Sequence, residues 1–200
     1  MTLWFATGNT HKQEELAAIL NENTVCCTLK IPADGGFTFD PNEDGASFAE
    51  NSLIKARALW KIVGEPVIAD DSGLCVDALG GRPGIFSARY GAKQGEKLDA
   101  SRRNELLLTE LGAISRRSAR FVCAMTLLFD ENRFVITQET LEGEIVHAAQ
   151  GEGGFGYDPL LYLPELGRTV AELPAAEKNK LSHRARAARA LLPHLYHGAY

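Results

Sequence analysis

Four stretches of this 200-residue chain hold residue types that could do chemistry. The first is Thr7-Gly8-Asn9-Thr10-His11-Lys12, which follows the apolar run Leu3 to Ala6. A strand, a glycine turn and a helix start leave backbone N–H groups pointing outward, and the helix dipole favours negative charge there. Lys12 falls in the first helical turn, where the dipole disfavours a cation; a bound anion such as phosphate would remove that conflict. A solvated lysine after a tight turn explains the same residues, and the GxxxxGK[ST] phosphate loop is absent. The second stretch is Asp70-Asp71-Ser72-Gly73, straight after Pro66 to Ala69. Carboxylates at the end of a buried strand are costly unless paired or cation-bound, and open α/β sheets place ligands at that end. Hard oxygen ligands beside phosphates suggest Mg²⁺. Successive strand side chains face opposite ways, so Asp70 and Asp71 reach one metal only if the chain turns between them. An aspartate turn with Gly73 in the left-handed region is the alternative.

The third stretch is Gly151-Glu152-Gly153-Gly154-Phe155-Gly156-Tyr157-Asp158-Pro159. Its glycines let a backbone approach a ligand closely, and Phe155 and Tyr157 could stack on a flat base. The plainer reading is a flexible connection with one core aromatic. The fourth lies after Glu177, where acidic residues cease and Lys178, Lys180, Arg184, Arg186 and Arg189 follow. Ser182-His183-Arg184 falls at a helix start, where cations again oppose the dipole and favour an anionic or electron-rich partner; Arg186 and Arg189 fit a solvated helix face. Asp40, Glu43 and Asp44 form a further acidic loop cluster that could complete a metal site or be merely solvated. Anion cradle, metal carboxylate, aromatic and cations together suit a nucleoside polyphosphate.

Positioning these residues requires an α/β fold with a central sheet. Leu3 to Ala6, Val25 to Ile31 and Pro66 to Ala69 read as strands, and Phe121–Phe129 with Phe134–Leu141 as a hairpin across Asp130 to Asn132. The spacing predicts a helix from Thr10, with Thr10 and Gln13 as its capping box. A second helix is capped by Ser47 with Glu50, carries the stripe Ala49, Leu53, Ala56, Trp60 and Val63, and ends at Gly64. A third runs from Asp99 to Leu111, and a last begins near Ser182.

The composition excludes other classes. Hydrophobic residues are 45% and charged residues 24%, normal for a globular domain, here read as one domain over 1–200. With 21 basic and 26 acidic residues the net charge is −5, which disfavours a nucleic-acid polymer as partner. No apolar run approaches the roughly 18 residues of a membrane span, and no signal peptide is visible. Cys26, Cys27, Cys75 and Cys123 show no CxxC spacing and read as reduced thiols of a cytoplasmic protein.

The blocks FATGNTHKQEEL at 5–16, SFAENSLIKARA at 47–58, IADDSGLCVDALGGRPGIFSARYG at 68–91, GEGGFGYDP at 151–159 and AEKNKLSHRARA at 176–187 occur together and span nearly the whole chain. In this set the chain resembles the inosine/xanthosine triphosphate pyrophosphatase family. Ser47 and Ser52 are small departures, where that family often has Thr and Ala. The resemblance implies an elongated mixed sheet with flanking helices, two lobes around a nucleotide-binding cleft, and a homodimer. It implies that Thr7, Gly8, Asn9, Thr10, His11 and Lys12 bind the triphosphate, with Lys55 also within reach. Asp71 would be the catalytic and metal-linked acid, with Glu43 a candidate second ligand to Mg²⁺. Ser72, Phe155, Gly156, Tyr157, Asp158, Lys178, His183 and Arg184 would contact substrate.

The implied reaction cleaves XTP, ITP or dITP with water into the monophosphate and pyrophosphate. Hypoxanthine and xanthine offer an acceptor oxygen at C6 where adenine has an amino donor, so donors such as Arg184 or backbone N–H groups would select them. On that reading, replacing Arg184 by Ala costs activity more than stability. A nucleotide sensor without turnover, a phosphohydrolase of broader preference and an RNA-binding module are the competing readings; the intact Asp70-Asp71 pair speaks against the first and the acidity against the last.

Overall fold

The computed structural model describes residues 1–23, 27–93 and 96–197. In chain order the main elements are β1 (Thr2–Phe5), α1 (Thr10–Glu22), β2 (Thr28–Lys30), α2 (Phe48–Val63), β3 (Val67–Val76), α3 (Ala100–Leu111), β4 (Ser118–Leu128), β5 (Phe134–Ile145), β6 (Leu161–Leu163), β7 (Arg168–Thr169), α4 (Ala175–Leu181) and α5 (His183–His197). The strands pair in the order β2-β1-β3-β4-β5-β6-β7. β1 is parallel to both β2 and β3, whereas β6 is antiparallel to β5 and β7. This mixed sheet with helices is the α/β architecture expected from the sequence.

By compactness the chain divides into two units. Residues 1–71, 123–139 and 182–200 form the first. Its β1 alternates strictly: Leu3 and Phe5 enter a core with Leu16 and Ile19 of α1 and Ala185 and Leu191 of α5, while Trp4 and Ala6 enter another with Ala56 and Leu59 of α2. β3 repeats the pattern, with Ile68 facing α1 and α5 and Val67 and Ala69 facing α2. The period of two therefore decides which helix each later β3 residue meets. The chain leaves β1 for β2 on one side and returns to β3 on the other, so the carboxyl end of β1 is a topological switch point.

Residues 72–122 and 140–181 form the second unit. Its core gathers Leu74 and Val76 of β3, Leu107 and Leu111 of α3, Ala119 and Phe121 of β4, Leu141 and Ile145 of β5, and Tyr157, Leu160 and Leu161.

Several local expectations change. α1 is capped by Asn9, not Thr10: the Asn9 side chain accepts from the Lys12 amide. Ser47 and Gly64 do cap α2 as expected. β2 covers only Thr28–Lys30; Val25 and Cys26 lie outside the described residues. β3 runs straight through Asp70-Asp71-Ser72-Gly73 without a turn. Gly73 serves close packing instead, since a Cβ there would lie 2.4 Å from both the Gly84 carbonyl and the Ser87 hydroxyl. Among the described residues, Cys27, Cys75 and Cys123 are free thiols, and no helix is long and apolar enough to cross a membrane.

Gly73→Ala forces backbone apart in a packed core. We expect it to lower the unfolding free energy by about 1–3 kcal/mol, measured by urea denaturation; an unchanged midpoint would show that the strand yields freely.

Candidate functional site

Asp70 and Asp71 end up on opposite faces of β3 because the strand does not turn. Asp70 shares its face with Ile68 and meets α1 and α5. The Lys12 ammonium lies 3.0 Å from both its oxygens, and the Arg184 Nε lies 3.1 Å from Oδ2. Arg184 also pairs through Nη1 with Glu15. Asp70 and Arg184 are each 1% exposed. Burial alone would raise the Asp70 pKa, but Lys12, then Arg184 and Lys55, hold it well below the usual carboxylate range. Burial likewise works against the Arg184 charge, and Asp70 and Glu15 outweigh it and raise its pKa. The same environment pushes the Cys123 thiol, 3.9 Å from Asp70, up to about 12, through burial first and the Asp70 charge second.

Asp71 shares its face with Val67 and Ala69 and meets α2. Its Oδ1 lies 3.0 Å from the Lys55 ammonium, and its Oδ2 accepts from Asn51 Nδ2 at 3.3 Å. Lys55 also lies 3.3 Å from the Glu43 carboxylate. Burial raises the Asp71 pKa, Lys55 opposes that, and Glu43 adds to it as a like charge; the net direction is upward. Burial would lower the Lys55 pKa, but Asp71, Asp70 and Glu43 together raise it. So the two aspartates differ: the surroundings lower the Asp70 pKa and raise that of Asp71.

The buried face of α2 explains this layout. Asn51, Ser52, Lys55, Ala56 and Leu59 are its buried positions along with Phe48, so its most enclosed strip is polar at one end. Ser52 is satisfied by Thr126 at 2.7 Å and by the Ala49 carbonyl. Asn51 joins the Gly45 amide, which donates to its Oδ1 at 2.9 Å, to Asp71. Leu53, expected on the inner stripe, is only half-buried. Asn51 and Glu15 were missed. Asn51 stands four residues before Lys55 and Glu15 three after Lys12, spacings that place each pair on one helix face.

Thr7 to Lys12 form the expected turn at the end of β1. The Thr7 hydroxyl accepts from the Asn9 amide at 3.1 Å, and Asn9 Oδ1 accepts from the Lys12 amide at 3.3 Å. Gly8, Asn9 and Thr10 are exposed. A Cβ on Gly8 would meet nothing within 4 Å, so the fold itself does not demand glycine there. His183, buried, begins α5, and the Ser182 hydroxyl accepts from the Ala185 amide.

In the second unit the glycine loop folds around Asp158. Its Oδ2 accepts from the Phe155 amide at 2.8 Å and from Lys178 Nζ at 2.7 Å. The same ammonium lies 4.6 Å from the Phe155 ring centroid. Gly154 is required because a Cβ there would sit 2.1 Å from the Asp158 carboxylate. Tyr157 is the core aromatic: it is 5% exposed and its hydroxyl donates to the Ser87 carbonyl at 3.0 Å. Phe155, by contrast, is half-buried. Of the anticipated residues, Thr7 to Lys12, Glu43, Lys55, Asp71, His183 and Arg184 belong to the first unit, and Ser72, Phe155 to Asp158 and Lys178 to the second.

Among the described residues no three His, Cys, Asp or Glu side chains gather to hold a metal. Asp71 and Glu43 nevertheless converge on one cation, the Lys55 ammonium. Two hard carboxylates that converge on a positive charge suit Mg²⁺, which takes one or two protein carboxylates and completes its shell with phosphate oxygens and water.

The buried ion pairs of Arg184 reverse the expected cost of removing it. Arg184→Ala leaves Asp70 and Glu15 with one cation fewer in a buried site, and we expect a loss of about 3–5 kcal/mol in unfolding free energy. Asp70 has a depressed folded pKa, so its contribution is present above its unfolded value near about 4 and lost as pH falls through that range. Urea titrations between neutral and acid pH should therefore show a steeper acid loss in the wild type than in Arg184→Ala. Parallel acid branches would show that Arg184 does not hold the Asp70 charge.

With this geometry in hand, comparison with known proteins gives a consistent answer. Residues 3–194 match the model of the Ham1 family. A protein from Treponema denticola named dITP/XTP pyrophosphatase is 50% identical over 187 residues, 94% of each chain. One of the same name from Geobacillus kaustophilus is 46% identical over 91% of this chain and 88% of its own. The solved structure of a HAM1 protein from Coxiella burnetii superposes with a TM-score of 0.88 at 36% identity, covering 98% of this chain and 99% of that one.

Proposed function

Because the chain belongs to the Ham1 family, we propose that it hydrolyses non-standard purine nucleoside triphosphates, dITP, ITP and XTP, to the monophosphate and pyrophosphate. The observation that carries the reading is the contrast between the two adjacent aspartates. Asp70 is neutralised on one face of β3 by Lys12 and Arg184. Asp71, on the other, keeps a raised pKa beside a single lysine. A carboxylate moved towards neutrality accepts a proton more readily, which suits it to orient and deprotonate the attacking water.

The residues divide the work. The exposed Gly8 to Thr10 turn at the start of α1 and the Lys12 and Lys55 ammonium groups would hold the triphosphate. Glu43 and Asp71 would hold Mg²⁺, which, when bound, neutralises charge on the phosphates. Water attacks the α-phosphorus and pyrophosphate leaves. Phe155 offers its ring to the base, and the Gly156 and Tyr157 N–H groups of the glycine loop are donors suited to the C6 oxygen. Lys178 holds that loop through Asp158. Ser72 and His183 complete the substrate contacts. Arg184 acts through Asp70, which it and Lys12 share. On the resemblance of the motifs, 1–200 would act as one functional domain. A homodimer and a cytoplasmic site of action follow from the resemblance of the motifs.

Purified protein should release pyrophosphate, not orthophosphate, from ITP, dITP and XTP in the presence of Mg²⁺, and leave ATP, GTP, CTP and UTP nearly untouched. Orthophosphate release, or ITP binding without turnover, would overturn the assignment. Gly8→Ala separates fold from function. No atom lies within 4 Å of the added carbon, so stability should hold within about 0.5 kcal/mol while KM for ITP rises. A changed melting temperature with unchanged KM would place Gly8 in the fold instead.

A further inference from the structure

Asn104 is out of character with its helix. α3 buries Asn104, Leu107 and Leu111, an apolar stripe whose first place an asparagine occupies. The side chain is only 7% exposed, and a buried amide is costly unless both its polar ends find partners. Here one end does. Nδ2 donates to the Gly156 carbonyl at 3.1 Å, across 52 residues of sequence, while Oδ1 meets no partner among the described residues. An apolar side chain would fill the stripe without an orphaned amide oxygen but would take the donor from the Gly156 carbonyl, so packing alone does not account for asparagine.

We propose that Asn104 is a positioning residue for base recognition, acting through the glycine loop. The proposal rests on the reading of that loop as the base-binding element. Two anchors hold the loop by its side chains: Lys178 grips Asp158, and Tyr157 donates to Ser87. Asn104 grips the backbone itself, at the peptide that joins Gly156 to Tyr157. A peptide is planar, so fixing the Gly156 carbonyl also fixes the direction of the Tyr157 N–H. One residue earlier it steadies the backbone that carries half-buried Phe155. Backbone N–H groups tell a C6 oxygen from a C6 amino group only if their direction is fixed, because a donor that swings can avoid the amino group. Asn104 therefore governs the preference for keto purines and not the chemistry at phosphorus.

The test compares Asn104→Leu, which fills the stripe but cannot donate, with Asn104→Gln, which keeps an amide. Kinetics on ITP and ATP and the melting temperature are measured for both. We expect Asn104→Leu to raise KM for ITP about tenfold, the weight of one hydrogen bond. Its kcat should stay within about twofold, and the ITP-over-ATP ratio of kcat/KM should fall about tenfold. Asn104→Gln should restore part of that ratio. An unchanged ratio, whether KM is unaltered or kcat falls alike for both nucleotides, would overturn the proposal. If Asn104→Leu does not fold, Asn104→Asp, which keeps the shape and loses the donor, is judged by the same ratio. A wild type that fails to turn over ITP would sink the functional reading itself, and this inference with it, before any variant is made.

Discussion

Two ionised carboxylates side by side in a buried strand repel each other and lose their hydration, so each needs its own compensation. The straight course of β3 supplies it by sending Asp70 and Asp71 to opposite faces. Much else in the first unit follows from that. α1 must bring Lys12 and Glu15 to one face and α5 must bring Arg184. α2 must bring Lys55 and Asn51 to the other. The helix that carries the exposed Gly8–Thr10 turn is thereby pinned at its first turn to the strand that carries Asp71. Lys12 sits where the helix dipole disfavours it, and Asp70 compensates it from beneath.

The second unit solves a different problem, how to hold a glycine-rich loop in one conformation. Glycine backbones are free by default, and the conformational entropy lost on ordering them is large. Asp158 draws the loop around its own carboxylate, and Lys178 fixes that carboxylate from α4. The Phe155 ring lies against the same ammonium. Order in this loop thus comes from the Lys178–Asp158 ion pair together with the Asn104 hydrogen bond to the Gly156 carbonyl and the buried ring of Tyr157.

Much of this was legible in the sequence. The strand–glycine–helix signal of residues 3–16, the Ser47 and Gly64 caps of α2 and the β4–β5 hairpin follow from local rules, and the structure keeps them. The rule that adjacent strand residues face apart likewise separates Asp70 from Asp71. What local rules leave open is decided by neighbours distant in sequence. The alternative turn at Gly73 does not form, and the glycine lies inside a strand where a Cβ would meet the Gly84 carbonyl and the Ser87 hydroxyl. Asn51 and Lys55 stand outside the apolar stripe expected for α2, yet they are buried, with Asp71 opposite. Arg184, expected to meet substrate, is buried in ion pairs with two acids far away in sequence. Such long-range charge pairing leaves no local periodicity to read.

The central claim is that the two neighbouring aspartates do separate jobs, Asp70 holding the structure and Asp71 acting on substrate. Asp70→Asn and Asp71→Asn, compared side by side for unfolding free energy and for ITP turnover per folded molecule, test it most directly. The account predicts that Asp71→Asn loses turnover by about 10²–10⁴-fold with stability kept or slightly raised, since its burial opposes its charge. Asp70→Asn should lose more stability and retain more turnover. The reverse order, with Asp70→Asn stable and inactive and Asp71→Asn active, would contradict it.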